Sequence, residues 1–115
     1  MGRKIKDYLD CNNIYNCLNC GTHLSSKDQI LSKAFHGRGG KAYLFHLAIN
    51  VSVGPLEQRN LLTGMHTVCD IFCNGCGECV GWKYHAAEEE REQYKVGKFI
   101  LEKTRLGKED WEKAS

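Results

Sequence analysis

The sequence has no long apolar segment and no concentration of charge of one sign. The longest apolar run, from Ala42 to Leu47 and on to Ile49, is interrupted by His46 and is too short to cross a bilayer. Residues 1–7, MGRKIKD, contain no apolar run of signal-peptide length. The net charge is +2, with basic and acidic residues intermixed. We therefore expect a soluble protein with no membrane partner and no specific nucleic-acid partner.

Signatures of several enzyme classes are also missing. The segment around Gly40-Lys41-Ala42 fails as a phosphate-binding loop, because Phe35 stands where the first glycine is needed and Ala42 stands where serine or threonine is needed. The chain has no Gly-x-Ser-x-Gly elbow and no His-Glu-x-x-His motif. These absences favour a binding or structural role over catalysis.

The chain has the size of a single domain. Its hydrophobic fraction of 42% is ordinary for a globular protein. A domain of 115 residues buries only a modest core, so a metal ion or a disulfide would help it to hold one structure. The odd number of cysteines, seven, disfavours a framework of disulfides. A reducing compartment, the nucleus and cytoplasm, is therefore expected.

The hydrophobic pattern predicts a domain made mainly of β-strands. Apolar and polar residues alternate from Tyr43 to Val53, which predicts one long, half-buried strand. A glycine-rich loop precedes this strand, and Gly54-Pro55 ends it. Shorter strands, each bounded by glycine, cysteine or charged residues, are predicted at residues 68–72, 80–84 and 98–103.

Little of the sequence has a helical pattern. The charged run AAEEEREQ, residues 86–93, predicts at most a turn or two of helix on the surface. The polar tail from Leu106 to Ser115 is expected to fray, with Trp111 as its one large apolar anchor.

Two Cys-x-x-Cys-Gly segments, CLNCG and CNGCG, are the most specific feature of the sequence. They place Cys17 with Cys20, and Cys73 with Cys76, on two tight bends, and the glycine after each pair can adopt a positive φ. Four thiolates complete a tetrahedral zinc site with no open coordination position, which is typical of structural zinc. We predict one structural Zn²⁺ that links distant parts of the chain and so contributes to the free energy of folding.

Other roles for these and the remaining cysteines stay open. One Cys-x-x-Cys could be a redox dithiol, but a second copy with a matching glycine favours zinc. Cys79 also forms a Cys-x-x-Cys with Cys76 and could replace Cys73 as a ligand, although the glycine-terminated pattern favours Cys73. His23 is a conceivable ligand, but a surface histidine is the commoner case. The cysteines most simply interpreted as free thiols are Cys11, Cys69 and Cys79.

Further short motifs at fitting intervals make the chain resemble the Yippee family of zinc-binding proteins. The resemblance runs from about Ile14 to Glu102. The motifs that carry it, besides the cysteines and Tyr15, are AYLF (42–45), NVSVG (50–54), LLTG (61–64), GWKY (81–84) and Lys95. It implies a Yippee-like zinc-binding domain at residues 14–104, with an N-terminal extension, 1–13, and a polar C-terminal tail, 105–115.

The resemblance implies a β-tent, in which two antiparallel sheets meet at an angle and are pinned by one structural zinc between the two Cys-x-x-Cys knuckles. Related tents occur in the ligand-binding domain of cereblon, in Mis18 centromere proteins and in methionine sulfoxide reductases of the B type. Because these proteins differ in what they do, the fold alone does not fix the function.

The similarity to cereblon's tent implies an aromatic cage. The counterpart of GWKY forms walls of that cage, and Trp82 and Tyr84, two residues apart on one strand, would face the same side. A cage of this kind holds a cation or a flat amide ring, although both rings could equally be core residues. Asn50 could bind a ligand or cap a loop. The residues that could complete the ligand site are His66, Asn50, Phe72 and Tyr43.

The predicted function is a non-enzymatic recognition or adaptor module that binds partner proteins. The family resemblance implies a role in cell-cycle or growth control, and for some members an association with ubiquitin-ligase assemblies. The alternative is a thiol-dependent reductase of the B-type methionine sulfoxide reductase class, for which Cys69 and Cys79 are the nearby thiols. Cys69 shares a strand face with Ile71, which favours a buried and inert thiol.

Overall fold

The structure is a computed structural model that describes residues 12–111. Ten β-strands and three 3₁₀ helices form this part of the chain. The strands are β1 (Ile14–Cys17), β2 (His23–Ser26), β3 (Ile30–Gly37), β4 (Gly40–Phe45), β5 (Val51–Val53), β6 (Glu57–Leu61), β7 (Gly64–Cys73), β8 (Cys79–Ala87), β9 (Phe99–Glu102) and β10 (Leu106–Glu109). The 3₁₀ helices are Lys27–Gln29, Glu90–Lys95 and Lys103–Arg105. In the described range, no helical segment has the length and apolar character required to span a bilayer.

The strands form two antiparallel sheets, as predicted. The smaller sheet has the order β10-β1-β2, and the larger sheet has the order β3-β4-β9-β8-β7-β5 with β6 also paired to β7. Every strand pair in both sheets is antiparallel. The prediction of a mainly β fold with two antiparallel sheets is confirmed.

Both faces of the larger sheet carry apolar side chains. Successive residues of a strand point to opposite faces, and β4 is apolar without interruption from Ala42 to Phe45. On β4, Tyr43 and Phe45 belong to a core cluster that also contains Tyr15 and Leu24 of the smaller sheet. The intervening residues, Ala42 and Leu44, belong to a second cluster on the opposite face. The smaller sheet therefore packs on the first face, and it contributes no residue to the cluster on the second face.

The long strand predicted from Tyr43 to Val53 is wrong, because β4 ends at Phe45 and β5 begins only at Val51. Between them the backbone N–H of His46 donates to Gln29 O, and that of Ile49 donates to Leu24 O. These hydrogen bonds replace a sheet ladder, and Asn50 then has a φ of 58°. The apolar alternation continues through this segment, but the chain leaves the sheet.

The predicted fraying of the tail is wrong for residues 106–111. Strand β10 pairs with β1 in a regular register, from Ile14 opposite Glu109 to Cys17 opposite Leu106. Trp111 anchors this end as predicted, since its indole Nε1 donates to Ile14 O at 2.8 Å and its ring lies 5.1 Å from that of Tyr15. The division at residues 13/14 and 104/105 stays a prediction.

The predicted surface helix at residues 86–93 is only partly right. Strand β8 continues to Ala87, and the helical turn is a 3₁₀ helix over Glu90–Lys95. Glu92 and Lys95 of this turn are buried rather than solvated. The 3₁₀ helix therefore contains a buried ion pair between Glu92 of the charged run and Lys95 just beyond it, which the charge pattern did not indicate.

Candidate functional site

Four cysteine sulfurs converge where the two sheets meet. The Sγ atoms of Cys17, Cys20, Cys73 and Cys76 all lie within 4.8 Å of one another. Cys17 Sγ is 3.7 Å from Cys76 Sγ, and Cys20 Sγ is 3.5 Å from Cys73 Sγ. A zinc ion bound at about 2.3 Å by four sulfurs places them about 3.8 Å apart. The cluster therefore fits one tetrahedral Zn²⁺ ligated from both Cys-x-x-Cys segments.

The two bends have the same backbone conformation. Gly21 and Gly77 both have a φ of 82°, as the sequence predicted. The N–H of Gly21 donates to Cys17 O at 2.7 Å, and the N–H of Gly77 donates to Cys73 O at 2.8 Å. The N–H of Gly75 points at Cys73 Sγ at 3.3 Å. Each knuckle thus presents two sulfurs on the same side. The backbone N–H of Gly75 also stabilises the thiolate form of Cys73.

Without a cation, burial opposes the negative charge of the thiolates in this cluster. Burial raises the pKa of the Cys17 thiol to about 12 and also raises that of Cys73. Burial acts in the same direction on Cys20, but hydrogen bonds from the side chain and backbone of Thr22 outweigh it and lower the Cys20 pKa to about 6. A divalent ion among the sulfurs supplies the charge that keeps all four deprotonated near neutral pH.

The alternative metal ligands lie outside this cluster. Cys79 Sγ contacts Gly81 O at 3.6 Å, and the His23 imidazole pairs with Glu109 at 2.7 Å. Cys69 is buried, as its strand position predicted, and burial raises its pKa. Cys11 lies outside the described residues. Of the two cysteines that pair with Cys76 in the overlapping motif, Cys73 lies in the sulfur cluster and Cys79 does not.

A half-open cavity of about 620 Å³ lies on the other face of the larger sheet. Trp82 and Tyr84 project into it from β8 on the same side, as their spacing predicted, with ring centroids 6.4 Å apart and planes at 78°. Val68 and Asp70 of β7 extend this wall. Tyr84 is buried and Trp82 is half-buried, so the cavity uses part of the second core cluster as its lining.

Three further lining residues were not identified from the sequence. Phe35 comes from β3, and Tyr94 and Lys95 come from the 3₁₀ helix Glu90–Lys95. Tyr94 is exposed and Phe35 is half-buried. Each of these residues sits in a locally polar or charged stretch, and only the tertiary fold brings them beside Trp82.

The other predicted ligand residues lie elsewhere. His66 is buried with its ring centroid 5.4 Å from that of Tyr84, and its Nδ1–H donates to Gly64 O, so it supports the cavity wall. Asn50 Nδ2 donates to His23 O at 2.8 Å, which corresponds to the loop-capping alternative. Tyr43 belongs to the core cluster on the opposite face. Phe72 is also absent from the cavity lining.

The sequence matches a family model described as Yippee zinc-binding/DNA-binding/Mis18, centromere assembly, over residues 13–114. A yippee-like protein of Arabidopsis thaliana is 56% identical over 98 residues, which cover 85% of this chain and 92% of that protein. Protein yippee-like 4 of Homo sapiens is 45% identical over 109 residues, which cover 94% and 86% respectively.

Among solved structures, the crystal structure of the Mis18 "Yippee-like" domain has the same fold. It superposes with a TM-score of 0.66 over 87% of this chain and 97% of that chain, at 13% sequence identity. The likeness at this low identity extends to the fold alone. Taken with the matching family model and the close relatives, the two sheets joined at a four-cysteine zinc site show that the chain belongs to the Yippee family.

Proposed function

We propose that the protein is a non-enzymatic recognition module in which Cys17, Cys20, Cys73 and Cys76 hold a structural zinc and the aromatic cavity receives a segment of a partner protein. The observation that carries this proposal is the cavity on the sheet face away from the four clustered cysteines. Its volume lies within the range of pockets that hold ligands, and the aromatic Trp82 and Tyr84 line it. The zinc site then fixes the scaffold, and recognition takes place on the opposite face.

The family resemblance supports partners in cell-cycle or growth control, including components of ubiquitin-ligase assemblies, in the nucleus and cytoplasm. Affinity capture from a nuclear and a cytoplasmic extract tests this, with Trp82→Ala and Val53→Ala compared with the unaltered chain. Val53 is an exposed apolar residue of β5 outside the cavity lining, so it controls for nonspecific apolar contact. Zinc content and thermal unfolding are measured on all three proteins.

Proteins retained by the unaltered chain and by Val53→Ala, but lost with Trp82→Ala, are the expected result. If folded, zinc-loaded Trp82→Ala captures the same proteins as the unaltered chain, the cavity is not the recognition surface. If ubiquitin-ligase components are missing from both extracts, that part of the proposal fails and the recognition role is judged on the other captured proteins.

We propose a protein partner rather than a specific nucleic acid, although the family description includes DNA binding. The net charge is only +2, and basic and acidic residues are intermixed along the chain. A protein that reads DNA through phosphate contacts normally presents a concentrated basic surface. Fluorescence anisotropy with a labelled duplex at 50–200 mM salt, a range over which such contacts weaken, tests this. Tight binding with a steep salt dependence would contradict the proposal.

The alternative, a thiol-dependent reductase, has one observation in its favour. Cys79 lines the cavity, where a substrate could reach its sulfur. Burial, however, raises the pKa of the Cys79 thiol, whereas a nucleophilic cysteine needs a lowered pKa. An assay of methionine sulfoxide reduction with a dithiol reductant decides between the two functions. We expect no turnover; turnover that disappears in Cys69→Ser/Cys79→Ser, with zinc retained, would support the reductase.

A further inference from the structure

Lys95 is a buried cation beside the cavity. Lys95 is only 2% exposed, and a lysine is seldom buried to this extent unless its charge has a partner. Its Nζ lies 5.3 Å from the ring centroid of Phe35, 5.3 Å from that of Tyr84 and 6.0 Å from that of Tyr94. These distances are within the range of cation–π attraction. The three rings therefore form a cage, and the ammonium group of the chain itself occupies it.

Polar partners neutralise and orient the caged ammonium. Lys95 Nζ lies 2.5 Å from Glu92 Oε1 and donates to Thr63 Oγ1 at 2.9 Å. The hydrogen bond from Lys95 lowers the pKa of the Glu92 carboxyl and so favours its carboxylate form. A buried ion pair with added hydrogen bonds resists replacement of one partner, because the other charge would be left unpaired.

The other acidic groups of the cavity wall are also engaged. Asp70 Oδ1 accepts from Arg59 at 2.9 Å, and Glu102 Oε1 accepts from the backbone N–H of Gly39 at 3.2 Å. Arg38 and His36 line the rim but are exposed, so water solvates them. Beside the caged lysine, the inner surface therefore consists mainly of Trp82 and neighbouring apolar side chains, and each carboxylate of the lining already accepts a hydrogen bond or an ion pair from the chain itself.

We propose that Lys95 is the resident cation of the Phe35–Tyr84–Tyr94 cage, and that the cavity beside it accepts an uncharged flat group and rejects quaternary ammonium groups. An aromatic ring or a ring bearing an amide on a partner protein is the class of group that fits. This inference rests on the proposed recognition function, and it excludes the methylated-lysine type of ligand that an aromatic cage suggests at first sight.

Two small probes with the same phenyl ring test the inference. Benzamide is flat and uncharged, and benzyltrimethylammonium carries a quaternary cation. Binding is measured by NMR from the shift of the Trp82 indole N–H resonance, which is assigned by its loss in Trp82→Phe. The Trp111 resonance is the internal reference, because Trp111 packs on Tyr15 away from the cavity. We expect benzamide to shift only the Trp82 resonance, and benzyltrimethylammonium to bind about tenfold or more weakly.

A variant that empties the cage should reverse this preference. Lys95→Ala leaves Glu92 without its partner and opens space between the three rings, so the cationic probe should now bind more tightly than benzamide. Lys95→Met keeps most of the side-chain volume and should retain the preference for benzamide. Lys103→Ala is the control, because Lys103 is exposed in the 3₁₀ helix Lys103–Arg105.

The comparison on the unaltered chain needs no variant, so it remains informative if Lys95→Ala fails to fold. Equal or tighter binding of the cationic probe to that chain would overturn the inference, and so would the absence of binding by either probe. In both cases the proposed recognition of a protein partner would still be judged separately by the capture experiment with Trp82→Ala.

Discussion

Cys73 and Cys79 both complete a Cys-x-x-Cys with Cys76, but only Cys73 lies in the sulfur cluster. We expect Cys73→Ser to lose the zinc and to destabilise the domain by several kcal/mol, because a structural zinc contributes on the order of 10 kcal/mol to folding. Cys79→Ser should keep one zinc per chain. Elemental analysis and thermal unfolding of both variants test this. Equal zinc content in the two variants would contradict the ligand assignment.

Gly81 is required where β8 and β9 approach each other closely. A Cβ atom at this position would lie 1.8 Å from the backbone oxygen of Ile100, which cannot move without separating the strands. We expect Gly81→Ala to lower the free energy of unfolding by about 3 kcal/mol or more.

Gly39→Ala is the matched control for this substitution. Its Cβ would meet the side-chain hydroxyl of Thr104, which can rotate away. Denaturant unfolding of the two zinc-loaded variants gives the comparison. If Gly81→Ala is no less stable than Gly39→Ala, the two strands are not held as closely as the structure indicates.

At the scale of single residues, the sequence predicted the backbone of the zinc knuckles because the determinant is local. A Cys-x-x-Cys followed by glycine specifies the bend, and both Gly21 and Gly77 adopt the expected positive φ. The requirement for glycine at position 81 is different. It depends on Ile100 of another strand, so nothing in the GWKY segment itself distinguishes close strand approach from a turn.

Among the elements, β10 shows where a local pattern fails. Its sequence, LGKE, has little apolar alternation, and the strand with which it pairs, β1, is far from it in the sequence. Parts of β7 and β8, residues 68–72 and 80–84, were predicted as short strands because glycine, cysteine or charged residues bound them, but both strands extend further than predicted. The break between β4 and β5 was missed for the opposite reason: the alternation continues while the backbone bonds elsewhere.

The attachment of β10 should depend on pH. Hydrogen bonds from His23 and then Asn16 hold the pKa of the Glu109 carboxyl below its ordinary value of 4.5. A carboxyl with a lowered pKa in the folded state stabilises that state above its ordinary pKa, and this contribution is lost as the pH falls through the lowered value. Acid should therefore loosen β10 in a step below about pH 4.5.

Trp111 fluorescence measures this step, because its indole bonds to β1 just after β10 ends. The experiment uses a Trp82→Phe background with selective tryptophan excitation, so that the signal comes from Trp111. The acid transition should shrink when Glu109→Gln is added, since the amide does not titrate. Glu78→Gln is the control, because Glu78 is exposed and makes a longer ion pair of 3.6 Å with Arg105. Identical transitions with and without Glu109→Gln would refute the assignment.

For the whole molecule, the zinc site was predictable and the cavity was not. The four cysteines are two copies of one local motif, so their meeting required only that the two bends come together. The cavity combines β3, β7, β8 and the 3₁₀ helix Glu90–Lys95, and Lys95 enters the cage from the end of that helix. Of the lining, the sequence identified only Trp82 and Tyr84, which share a strand.

Removal of zinc should release the smaller sheet before it unfolds the larger one. The smaller sheet has three strands of only four residues each, and its buried apolar residues pack in the cluster that it shares with the larger sheet, whereas the larger sheet also has the second core cluster of Leu44, Tyr84 and Ile100. Trp111 reports on the smaller sheet, and Trp82 reports on the larger. In the single-tryptophan variants Trp82→Phe and Trp111→Phe, removal of the zinc with EDTA should therefore change the emission of Trp111 and leave that of Trp82 largely unchanged. Added zinc should reverse the change. A comparable change of both tryptophans would mean that the two sheets unfold as one unit, and an unchanged Trp111 signal after complete zinc removal would mean that apolar packing alone holds the sheets together.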